Sequence, residues 1–180
     1  MNKKSIRFVD VLARAILDGR KTQTRRIIDP QPYLTPDGVL AWADKCVIYE
    51  PAESALLERC PWGRPGDCLI MPYDGKDVRL TIVDVRVERL QAITDADARA
   101  EGIRLHERTV TMYEGIYASG FALLWDSIYE RRGYGWRVNP WVWVIEFELE
   151  TPVLAGGRRA GDAISGGVIY TVYYGIARNQ

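Results

Sequence analysis

Residues 78–90 read VRLTIVDVRVERL. Side chains along a strand alternate between two faces, and this run alternates for its whole length. Leu80 and Ile82, followed by Asp84, Arg86 and Glu88, fall on one face. Thr81, Val83, Val85 and Val87 fall on the other, which is expected to be the core face. A second strand is read over 141–150, WVWVIEFELE, where Trp141, Trp143, Ile145, Phe147 and Leu149 share a face and Glu146, Glu148 and Glu150 end the other.

The segments around these strands read as helices and turns. Asp10 is expected to cap a short helix over Val11 to Asp18, with Val11, Leu12, Ala15 and Ile16 as its stripe and Gly19 just past its end. The segment GRKTQTRRII, 19–28, then reads as a turn entering a strand. Arg64-Pro65-Gly66-Asp67 forms a turn into a strand that starts over Cys68 to Met71. Thr94 and Asp97 have the spacing of a capping box, which opens a helix ending at Gly102. Phe121, Leu124, Trp125 and Ile128 recur at helical spacing in a segment, Phe121 to Arg132, that Gly133 terminates. Six prolines between Pro30 and Pro65 mark about 30–65 as an irregular insertion, with one short helix expected over Ala52 to Arg59. No long-period repeat and no βαβ alternation occurs. The class expected is α+β, a mainly antiparallel small barrel flanked by helices.

The chain has 180 residues, 47% hydrophobic and 27% charged, which suits one domain over 1–150 with decorations. Residues 155–167, AGGRRAGDAISGG, are of linker type, and VIYTVYYGI at 168–176 is strand-like. The 151–180 tail is therefore read as an added edge or a homo-oligomer contact. Formal net charge is zero, so affinity for nucleic acid must come from a local cluster. The N-terminus has no apolar core of a signal peptide, and no apolar run approaches the ~20 residues of a membrane span. A cytoplasmic location without membrane attachment is expected. The three cysteines, Cys46, Cys60 and Cys68, fit neither a disulfide framework nor a structural zinc site, which takes about four close ligands. No metal or cofactor is expected.

Five blocks in order carry a resemblance: AILDGRKTQTRRII at 15–28, CPWGRPGDCL at 60–69, TIVDVRVERLQAITDADARAEGI at 81–103, FALLWDSI at 121–128 and NPWVWVIEFE at 139–148. Together they resemble the ASCH family of the PUA-like superfamily, in its phage and prophage branch, over about residues 6–150. The resemblance implies a β-barrel with a ligand cleft beside the GRKT segment and an RNA- or nucleotide-related role. Some ASCH proteins hydrolyse the acetyl amide of N4-acetylcytidine, and some are described as ribonucleases. The lysine and threonine of the family's G-x-K-T-x-T motif fall on Lys21 and Thr24. The family's glutamate, from a later strand, counts to Thr81 here, and Asp84 is the nearest acid. After the Gly-Asp turn this chain has Pro72-Tyr73-Asp74 where the phage branch continues toward Arg-Glu-Thr.

Arg20, Lys21, Arg25 and Arg26 are four cations within seven residues, a local anion site in a neutral chain. The bland alternative is a solvated strand with its charges outward. The ligand contacts expected are Arg20, Lys21, Thr22, Arg25, Arg26 and Tyr73; the catalytic residues, if the chain is an enzyme, are Lys21, Thr24 and Asp84. In a flat strand, positions 21 and 24 point to opposite faces, so the segment must turn or bulge for them to converge. Trp62 and Trp136 sit in expected loops, where they either stack on a base or simply pack. Two functions stay open: an RNA- or nucleotide-binding module, and a hydrolase of a modified nucleoside or of RNA. A carboxylate within hydrogen-bond reach of Lys21 or Thr24 favours the hydrolase.

Overall fold

The computed structural model of the chain describes residues 4–36, 38, 40–42, 58–104 and 115–150. The 151–180 tail, most of the helix expected over Ala52 to Arg59, Cys46 and His106 lie outside them. The elements are β1 (Lys4–Ser5), α1 (Asp10–Leu17), β2 (Gln23–Ile27), β3 (Tyr33–Leu34), β4 (Leu40–Ala41), β5 (Cys68–Tyr73), β6 (Lys76–Arg89), α2 (Asp95–Ala100), α3 (Ile116–Tyr129) and β7 (Trp141–Leu149). The class is α+β. Five strands form one sheet in the order β1-β5-β6-β7-β2, antiparallel except for the β1–β5 pair. No helix among the described residues is long and apolar enough to cross a membrane.

The β5–β6 hairpin turns at Asp74-Gly75, both at positive φ. Such a two-residue turn matches the right-handed twist of its strands. The β6–β7 pair is the spine of the sheet and it carries the main correction to the sequence reading. Its register breaks between Ile82 and Asp84, so Val83 is an extra residue without a partner. A bulge of this kind moves every later side chain to the other face. Before it Leu80 and Ile82 are buried, after it Val85 is, and Val83 itself is 49% exposed. Thr81 and Val83 are therefore not core residues, whereas Asp84, Arg86 and Glu88 do share a polar face. That face forms an ion-pair cluster in which Arg86 meets Asp84 at 3.3 Å, Glu88 at 2.6 Å, Asp97 at 3.3 Å and Glu146 at 2.5 Å.

Both faces of β7 are buried. Trp143, Ile145 and Phe147 join a core with Ala13 and Ile16 of α1, Leu69, Met71, Leu80 and Ile82. Val142 and Val144 join a second one with Leu90, Ala98, Phe121, Trp125 and Tyr129 beneath α2 and α3. Trp62 packs at the edge of the first core and Trp136 at the edge of the second, so both loop tryptophans have packing roles. Helix α1 starts one residue earlier than expected. Asp10 is its first residue rather than its cap, and Val11 is exposed while Ala13, Ala15 and Ile16 are buried. Helix α3 starts at Ile116, and its buried stripe is Phe121, Trp125 and Tyr129; Ile128 is 40% exposed.

The closed barrel expected is not made by strand pairing among the described residues: β1 and β2 remain the two edges. Past the two-residue β1, the Arg7 carbonyl accepts from Arg26 Nη2 at 2.8 Å, so a side chain of β2 bridges where a ladder would run. Helix α2 carries the full capping box, with Thr94 Oγ1 accepting from the Asp97 amide and Asp97 accepting from the Thr94 amide. Thr94→Ala is expected to cost about 1 kcal/mol, read as a shift in the urea midpoint at constant slope.

Candidate functional site

The site grows from the end of α1. Gly19, at φ +71°, reverses the chain, and the amides of Arg20 and Lys21 both return to the Ala15 carbonyl at 2.9 Å. Lys21 then forms a single antiparallel bridge with Glu101, just beyond α2. Gly102 makes this approach possible. Its φ is +88°, and a Cβ there would stand 3.1 Å from Lys21 Cβ and 3.2 Å from Ala15 Cβ. Strand β2 starts only at Gln23, so positions 21 and 24 do not belong to one flat strand. The Lys21 side chain folds back and donates to the Gln23 carbonyl at 2.8 Å. Lys21 and Thr24 consequently line one pocket.

That pocket has a volume of about 100 Å³. Its deep polar groups are Lys21, Thr24, Arg25 and Glu101, each 2–4% exposed. Arg7 and Arg26 stand at its more open side, and Phe8, Leu12, Phe121, Leu124, Trp125 and Ile128 supply apolar walls. Leu124 and Ile128, read at helical spacing with Phe121 and Trp125, line the pocket.

Glu101 is the centre of the charge arrangement. Lys21 Nζ lies 2.6 Å from Glu101 Oε2 and also donates to the Glu101 carbonyl at 2.9 Å. Arg25 Nη1 approaches Glu101 Oε1 at 3.5 Å, and Arg25 Nη2 reaches Glu88 at 3.0 Å and Asp97 at 3.4 Å. Burial pushes the Lys21 ammonium below the ordinary lysine range; Glu101 opposes that shift, and the neighbouring Arg26 and Arg25 charges add to it. Burial also pushes the Asp97 carboxyl up, but the Thr94 amide and hydroxyl and the Arg25 charge hold it below its ordinary value.

The other residues singled out in the sequence lie elsewhere. Asp84 is not among the pocket-lining residues; past the bulge it faces Arg86. Thr81 donates to Glu150 at 3.0 Å. Arg20 pairs with Asp18 at 2.8 Å, Thr22 is exposed, and the Tyr73 hydroxyl accepts from Arg14 at 3.1 Å. Asp74 sits at the hairpin tip. The acid missed in the sequence is Glu101, and one signal pointed to it. It occupies the C-cap of α2, where the helix dipole disfavours a carboxylate and a nearby cation offsets that cost.

No family model matches the chain, and no curated protein does. Among solved structures it is similar to an Enterococcus faecalis protein described under DUF984, at 15% identity over 83% of this chain and 81% of that one, with a TM-score of 0.47. It is also similar to an ASCH domain from Lactobacillus crispatus, at 13% identity over 82% of this chain and 79% of that one, TM-score 0.44. A hypothetical protein matches at 14% identity over 83% of this chain and all of its own length (100%), TM-score 0.44.

Proposed function

We propose that the pocket beside β2 binds a nucleoside- or nucleotide-like ligand, free or in RNA, and hydrolyses an acyl amide on it with Lys21, Thr24 and Glu101. The observation that carries this reading is the buried Lys21–Glu101 contact of 2.6 Å in the wall of a pocket that Thr24 also lines. A buried ion pair is costly to desolvate and adds little stability over an apolar pair of the same size. Its place in a cleft, with a lysine pushed toward its neutral form, is the pattern of an acid–base site. The resemblance of 15–28 to the ASCH motif, with its implied PUA-like barrel and phage branch, supplies the substrate class: the acetyl amide of N4-acetylcytidine.

The chemistry uses groups already in the pocket. A proton passes from Lys21 to Glu101, which leaves a neutral amine. Thr24 Oγ adds to the acyl carbon as its own proton moves to that amine. The tetrahedral oxyanion is stabilised by the Lys21 ammonium formed in that step. Collapse breaks the C–N bond, and the nucleoside amine leaves with the proton from Lys21. Water then hydrolyses the threonyl ester, releasing acetate and a proton and restoring the Thr24 hydroxyl, and the proton held by Glu101 returns to Lys21. The volume of about 100 Å³ fits the acyl end of a ligand rather than the whole of it, since sites that enclose a drug-sized molecule take about 300 Å³ or more.

A second reading, a binding module without catalysis, has one observation in its favour. Lys21 Nζ donates to three acceptors, Gln23 O, Glu101 O and Glu101 Oε2, which uses every donor of an ammonium. As a permanent strut it would only shape the pocket. Acetate release and equilibrium binding, both measured with N4-acetylcytidine over a broad pH range, separate the two. Release of acetate is the expected result. Binding without release at any pH leaves the strut and the module.

A further inference from the structure

We infer that Arg7 and Arg26 form a phosphate subsite at the open side of the pocket, so that the ligand is a phosphorylated nucleoside, as a free nucleotide or within RNA; the inference rests on the reading of the pocket given above. Four cations but only one carboxylate, Glu101, line this pocket among the described residues. Two of the four are neutralised. Lys21 is spent on Glu101, and Arg25 on Glu101, Glu88 and Asp97. Arg26 is held differently. Its Nη2 donates to the Arg7 carbonyl at 2.8 Å and its Nη1 to the Tyr129 hydroxyl at 3.5 Å, and its guanidinium lies 4.9 Å from the Phe8 ring centre.

All three of those partners are uncharged. They fix the position of the guanidinium without cancelling its charge, and Arg26 Nε is buried with no hydrogen-bond partner. Arg7 is exposed, lines the same pocket and accepts from Arg26 through its carbonyl, so a second arginine stands next to the first at the pocket's open side. The Arg26 charge already reaches Lys21, whose ammonium it helps to destabilise. A prepositioned cation with neutral supports and a second, exposed arginine lining the same pocket suit a tetrahedral oxyanion. The acyl end of the ligand occupies the deep groups, and the phosphate takes the open side.

The test measures binding of N4-acetylcytidine, its 5′-monophosphate and a short RNA containing it, to the full chain by calorimetry at low and moderate salt. The expected result is at least about a tenfold gain for the monophosphate over the nucleoside, the effect of one charge-assisted contact, shrinking as salt rises. A gain for the RNA as well assigns the subsite to diesters; a gain for the monophosphate alone assigns it to free nucleotides. In Arg26→Gln the ratio of the two affinities falls to about one. Arg26→Lys keeps part of it. Arg7→Gln, at an exposed position, lowers it in the same direction. Equal affinity of wild-type protein for nucleoside and nucleotide overturns the subsite and leaves the reading of the pocket intact. A gain that survives in both Arg26→Gln and Arg7→Gln also overturns it. Binding of none of the three ligands removes the pocket reading and the subsite together.

Discussion

Glu101→Leu is expected to lower the stability of the fold by about 3–5 kcal/mol, the cost of leaving one member of a buried ion pair without its partner. The substitution strands Lys21, whose side chain is 1% exposed, with only two carbonyl oxygens for its ammonium. Arg25 is less affected, because Glu88 and Asp97 still face it. The double substitution Lys21→Met with Glu101→Leu then recovers most of the loss, since an apolar pair of similar volume needs no desolvation. Urea unfolding of the two single variants and the double variant measures the coupling. A cost below about 1 kcal/mol for Glu101→Leu would show that the pair is not a charged one in the folded chain.

The pH dependence has a definite sign. Lys21 binds its proton less tightly folded than unfolded, where its ordinary value is 10.5. Between its folded pKa and that value the unfolded chain binds more protons, so the Lys21 contribution makes stability rise with pH across that window. Below the folded pKa the full penalty of the buried ammonium is present. Lys21→Met is expected to remove this rise, read as a flatter plot of urea midpoint against pH on the alkaline side.

The fold was legible where one period governs a segment. The β6 and β7 strands, the capping box at Thr94 and the glycine ends at 19, 102 and 133 all follow from local spacing, and each is present. What spacing does not encode is a bulge. Val83 interrupts β6 with an ordinary β-branched residue, so nothing in VRLTIVDVRVERL marks the point where the core face changes from 80 and 82 to 85. The acid was hidden for a different reason, because it does not lie on this strand at all. Counting along one unbroken strand leads to Thr81 and Asp84, whereas the carboxylate beside Lys21 comes from the far end of α2, about 80 residues along the chain from it. Burial is likewise a property of the assembled fold. Within RKTQTRR the cations look alike, but Lys21 and Arg25 are enclosed and paired with carboxylates while Arg26 is left with neutral partners.

Lys21→Met is expected to reduce turnover of N4-acetylcytidine by a factor on the order of 10²–10⁴, the usual effect of deleting a positioned acid–base group. The loss falls on kcat rather than KM, because Lys21 lies at the deep end of the pocket with both its carboxylate and carbonyl partners on the protein. Thr24→Val keeps the shape of the wall and removes only the hydroxyl, so it distinguishes two routes. Loss comparable to that of Lys21→Met places the nucleophile on Thr24 Oγ. Retention of most of the activity means that water attacks and Thr24 is a wall residue. Glu101→Gln sharpens the assignment. A neutral amide still accepts a hydrogen bond from Lys21 but cannot take its proton, so the amine is no longer generated by transfer across 2.6 Å. Its rate is expected to recover only as pH rises toward the range where Lys21 loses its proton to solvent, and that alkaline shift of the pH–rate profile is what a purely structural role for Glu101 would not produce.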